Sequence, residues 1–151
     1  MFTTVRYFVK TSIIFLALGI LTGLYMTYTK YITGEGFSYD IQTAHTHIIL
    51  VGSVMMMIMG VAIWFFPRPQ KDDKRYNPDL VMVVYWLMAS ATFGRFVFQM
   101  LKGFFLIDLL NILIAAASFL QVAAMMLFFH QIWGRIRPLG SQIREAKGEK
   151  F

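Results

Sequence analysis

The chain has 151 residues, 58% of them hydrophobic and 15% charged, with 14 Lys and Arg against 8 Asp and Glu. A soluble domain of this size needs about a quarter of its residues charged to cover its surface, so an ordinary soluble enzyme is excluded. The lack of cysteine excludes disulfide scaffolds, Cys-ligated zinc, iron–sulfur clusters, c-type haem attachment and thiol catalysis, leaving His, Met, carboxylate and amide groups for any metal. The net charge of +6 lies in short segments between long uncharged runs, which is the pattern of membrane-flanking charge and not of a nucleic-acid surface.

In chain order, four membrane spans are predicted. No Asp, Glu, Lys or Arg occurs from Thr11 to Thr29, and the first span is placed over about residues 7–29. Its apolar stretch exceeds the roughly 7–15 residues of a signal peptide and no A-x-A site closes it, so a retained helix is expected. The second span, about 42–66, falls in the uncharged run from Ile41 to Pro67. The segment Pro67–Asp79, PRPQKDDKRYNPD, then reads as a solvated loop whose prolines and Asn77 stop both flanking helices. The third span, about 80–101, contains a single charge, Arg95, and the fourth, about 106–133, covers the uncharged run from Leu109 to Gly134.

Each run approaches the roughly 20 apolar residues that cross a 30 Å hydrocarbon layer, and none alternates as a barrel strand would. The expected fold is an all-α integral membrane four-helix bundle, residues 1–134, followed by a basic tail, 135–151, that forms at most an interfacial helix. The short connection at Lys102–Gly103 makes spans three and four an antiparallel hairpin. Arg6, Lys10, Arg68, Lys71, Lys74, Arg75 and the tail cations fall on one side, against Lys30 and Lys102 on the other. This asymmetry puts both termini in the cytoplasm.

Few groups are left to carry chemistry. His45 and His47 are two residues apart, hence about 200° apart on a helix, and cannot share one metal from a regular helix. On a regular helix, the face of His45 continues through Ile49, Gly52, Met56 and Gly60, and that of His47 through Val51, Val54, Ile58 and Val61. Small residues admit a flat macrocycle or a second backbone, and Met packs well on aromatic surfaces, so His45 is the better haem ligand of the two. Either histidine equally suits hydrogen bonding at the membrane boundary, and the apolar stripes suit helix packing.

Thr43, Ala44 and His45, a Met- and Gly-rich stretch, and then Trp64, Phe65, Phe66 and Pro67 resemble the second transmembrane helix of the catalytic subunit of haem-copper oxidases and nitric oxide reductases. The Ala-His-Thr-His start and the Pro-Arg end look most like small four-span proteins grouped with subunit I of cbb3-type oxidases. The resemblance covers about 25 residues and implies that His45 is an axial ligand of a low-spin b-type haem. That family has about twelve spans. Its adjacent His pair, its H-P-x-x-Y segment and its late His-x-His are missing here, so oxygen or nitric oxide reduction by the family mechanism is not expected.

Other residues have narrower readings. Arg95 lies about two turns inside the outer end of span three and suits a haem propionate, or else an ion pair with Asp40 or Asp108. Candidates for a sixth ligand are Met26, Gln99, Met100, Asn111, and His47 of another copy, or the position has no protein ligand at all. His130, beside Trp133 and Arg135 at the opposite membrane face, reads as part of an interfacial belt. Asp108 and Asn111 suit capping of the last span, and Met55–Met57 spread too widely round a helix to hold one copper ion.

The expected function is b-type haem binding near the outer face of a bacterial or archaeal cytoplasmic membrane. It would serve electron transfer or gas sensing alongside a respiratory oxidase or reductase, with Gly52, Ser53 and Gly60 permitting a homo-oligomer. The alternative is an accessory or assembly subunit that handles haem or copper, or holds no cofactor. A transporter is the weakest reading, because the spans carry almost no polar groups at mid-depth.

Overall fold

The computed structural model describes residues 3–66 and 77–136, with 140, 143–144 and 147–148. Four helical spans account for the bundle, and no strand occurs among the described residues. Span one is helix α1 (Thr3–Tyr28), continued by a π-helical turn, Thr29–Thr33. Span two joins α2 (Tyr39–His47), a π-helical segment Ile48–Met55, and α3 (Met56–Phe65). Spans three and four are α4 (Pro78–Phe104) and α5 (Leu109–Trp133).

All four are long and apolar enough to cross a membrane, at 25 to 31 residues. The chain therefore has the architecture of a multi-pass membrane protein, with boundaries within about a turn of those expected from charge alone. The basic loop expected at Pro67–Asp79 lies outside the described residues up to Tyr76, as does most of the expected interfacial tail.

Neighbours in sequence are neighbours in space. Span two packs on spans one and three, and span four packs chiefly on span three. In the most apolar stretch of each span, 39% of span two is buried but only 22% of span four, which makes span two the centre of the bundle and span four its margin. The buried face of α1 runs Val5, Phe8, Ser12, Phe15, Gly19 and Thr22, the alternating three-and-four spacing of one helix seam.

Lipid is as apolar as a leucine side chain, so close packing and internal hydrogen bonds hold such helices together. Gly52 shows the first effect: a Cβ there would meet Phe15 Cδ2 at 2.8 Å and Thr92 Cγ2 at 3.0 Å. Spans one, two and three touch at that point. Hydroxyls show the second. Thr22, Thr27, Thr43, Thr46 and Ser118 each donate to the carbonyl four residues back, which satisfies them without water.

The helix ends are closed by specific groups. Asn77 Oδ1 accepts from the backbone N–H of Asp79 at 2.9 Å and of Leu80 at 3.4 Å, capping α4 with Pro78 in its first turn. Gly34, at φ 73°, ends span one in the left-handed conformation that a side chain would strain. At the end of the bundle where α1 begins and α5 finishes, buried Arg135 donates from Nη2 to the carbonyls of Ile63 and Phe66, each at 2.9 Å, and so ties the end of span four to the last turn of span two. At the opposite end, Lys102 pairs with Asp40 at 3.5 Å.

Candidate functional site

His45 sits six residues into span two, about 9 Å along its axis from Tyr39. Its Nδ1 lies 2.9 Å from the carbonyl oxygen of Gly19 on span one. A carbonyl only accepts, so Nδ1 carries the proton and the neutral ring keeps its lone pair on Nε2. Histidines that bind metals are held in this way, with the second nitrogen donating to a backbone carbonyl or carboxylate.

The ring fits against span one because Gly23 has no side chain: a Cβ there would stand 3.0 Å from His45 Cε1. Gly19 and Gly23, four residues apart, form a small-residue step that lets the two spans approach. His45 borders a groove of about 440 Å³, lined also by Ile20, Gly23, Met26, Lys30 and Phe37. Lys30 stands 5.3 Å from the centre of the Tyr31 ring, which lines the same groove.

The other sequence candidates are dispersed. His47 donates its Nδ1–H to the carbonyl of Thr43 in its own helix at 2.9 Å. The two rings are thus held by different carbonyls on different spans. Gly52 and Met56 do not line the His45 groove: Gly52 is the contact with Phe15 and Thr92, and Met56 is fully buried in the core. The π-helical turns between Ile48 and Met55 carry more residues per turn than a regular helix, so the face projected from His45 through Gly52 and Met56 is not continuous. His130 is exposed near the C-terminal end of α5, with Trp133 in a separate groove of about 740 Å³.

Arg95 bonds neither to Asp40 nor to Asp108. Its Nη1 donates to Gln121 Oε1 at 3.0 Å, and Gln121 Nε2 donates in turn to Thr92 Oγ1 at 2.9 Å. Asp40 is taken by Lys102, while Asp108 is exposed and makes no side-chain capping bond to α5. Thr92 and Gln121 stand near the middle of α4 and α5 and Ser53 near the middle of span two, and all three are buried. The expectation that mid-depth is almost free of polar groups is thereby corrected; these neutral side chains are invisible to a count of charges.

No group of three or more His, Cys, Asp or Glu side chains able to hold a bare metal ion occurs among the described residues. Compared with protein-family models, curated proteins and solved structures, the chain matches none. What the fold and site define is a class: a multi-pass α-helical membrane bundle with one interhelical imidazole whose Nε2 is uncommitted. Charge and motif reasoning missed Gly19, Gly23 and Lys30 as neighbours of that imidazole, although the Gly-x-x-x-Gly spacing of the first two was a readable signal.

Proposed function

We propose that the chain holds a b-type haem at the outer end of spans one and two, with His45 as its protein ligand, and that it serves electron transfer or gas sensing alongside a respiratory complex. The observation that carries this reading is the bond from His45 Nδ1–H to Gly19, which leaves Nε2 free as a ligand. The residues present fit such a group. A porphyrin supplies four nitrogens itself and asks the protein for one or two axial ligands, so the lack of a three-residue ligand cluster is no obstacle. For copper alone, the separately held rings of His45 and His47 make a poor site.

When bound, haem would supply one-electron chemistry or an open iron position for a gas. The chain's own part is to orient and shield. The Gly19 carbonyl fixes the tautomer and direction of the imidazole, and Ile20, Leu24 and Phe37 give the groove apolar walls. Met26 in the same groove would offer the group a thioether and Lys30 would meet its propionates; Arg95, expected in that role, does not line this groove.

The alternative is an accessory subunit without cofactor, favoured by the shallow burial of span four, which leaves a long apolar face for a partner helix. The visible spectrum of protein purified from haem-sufficient cells separates the two. Sharp reduced α and β bands that vanish in His45→Ala and persist in His47→Ala support haem ligation, whereas a colourless preparation supports the accessory subunit.

A further inference from the structure

We propose that the unused edge of the Arg95 guanidinium, together with the Gln99 amide, is a binding site for a carboxylate that enters from the bilayer. A guanidinium is charged at any working pH, and a charge inside a membrane span requires a partner. Among the described residues Arg95 bonds only to neutral Gln121. Its charge is therefore uncompensated.

The geometry selects the partner's shape. Gln121 occupies Nη1, the corner remote from Nε, which leaves Nε–H and Nη2–H parallel along the opposite edge. That edge is the one that takes both oxygens of a planar carboxylate. Nε is buried and has no hydrogen-bond partner. Gln99, one helical turn away on the same face, is only 3% exposed, and its Oε1 is likewise buried without a partner. Leaving the Nε–H unpaired in hydrocarbon is costly, and a carboxylate oxygen satisfies it; the Gln99 oxygen is itself an acceptor and must turn away from that ligand.

Gln99 is bonded to nothing among the described residues, so its amide is free to turn and offer Nε2–H to the incoming oxygen. Gln121, itself bonded to Thr92, meanwhile holds the guanidinium from its far side. One guanidinium balances one negative charge, which favours a carboxylate over a phosphate dianion at this depth. The carboxylate has two possible sources, the head of a long-chain amphiphile in the outer leaflet or a short acid from water. The site requires no cofactor at His45.

The test places the full chain in phosphatidylcholine nanodiscs and adds carboxyl-13C oleate or carboxyl-13C acetate, reading the carboxyl resonance. A protein-bound resonance with one equivalent of oleate is expected. Affinity should fall about tenfold to a hundredfold in Arg95→Gln, the loss of a charge-assisted bonded pair, and less in Gln99→Leu, which keeps the charge. Binding of acetate instead of oleate would support the same site with an aqueous source. The proposal is overturned if neither probe gives a resonance distinct from empty nanodiscs. It is equally overturned if the bound resonance is unchanged in both variants while their helical circular dichroism matches the parent.

Discussion

His45 on span two donates its Nδ1–H to the carbonyl oxygen of Gly19 on span one, 2.9 Å away, across 26 residues of sequence. The direction of this imidazole is thus set by the backbone of a neighbouring helix and not by its own. Any change that separates the two spans by a fraction of an ångström re-aims Nε2.

Gly23→Val tests that dependence. The new Cβ would stand 3.0 Å from His45 Cε1, and the branched side chain cannot fit without displacing the ring. We expect the His45 Nδ1–H bond to be lost, read as a change in the imidazole 15N shifts, with overpacking costing about 1–3 kcal/mol. Thr27→Val, one turn further on, should leave those shifts unchanged, since the Thr27 hydroxyl bonds only to its own helix.

Gly52 is the contact of three spans. In Gly52→Ala the methyl group would lie 2.8 Å from Phe15 Cδ2. The helix-propensity gain of about 1 kcal/mol from alanine is outweighed by overpacking of about 1–3 kcal/mol, so the unfolding midpoint in mixed detergent should fall. Adding Phe15→Leu should recover most of the loss, and a double-mutant cycle measures the coupling.

Arg135→Met removes the donor shared by the carbonyls of Ile63 and Phe66. Two acceptors at the buried end of span two lose their partner, at a cost of about 1–3 kcal/mol. Faster amide exchange should appear in the last turn of α3 and at the end of α5, with little change in the opposite halves of the spans.

Asn77→Ala should destabilise the start of α4 by about 1 kcal/mol through loss of its cap, and Asn77→Asp should be nearly neutral. Local hydrogen exchange at Asp79 and Leu80, whose N–H groups the side chain accepts, reads this directly.

The four spans were legible because uncharged runs of membrane length have few other uses, and Asn77-Pro78 marks a helix start by its own chemistry. The π-helical segment was not legible. It goes with how Gly52 meets Phe15 and Thr92, a contact between distant parts of the chain. His45 stood out as a candidate, but its carbonyl partner on span one did not, because backbone acceptors leave no trace in residue identity. In the sequence Arg95 pairs most naturally with Asp40 or Asp108, since opposite charge is the obvious complement. The partner is the neutral Gln121, whose amide resembles packing material in a sequence.

The most direct measurement is complementation of His45→Gly by free imidazole. The variant, purified from haem-sufficient cells, should lack the sharp reduced spectrum of the parent chain. Millimolar imidazole with added haem should restore it, because the small ring can occupy the space beside Gly23 and present a nitrogen to iron. A parent chain that binds no haem, or a variant whose haem spectrum equals the parent's before imidazole is added, would contradict the account.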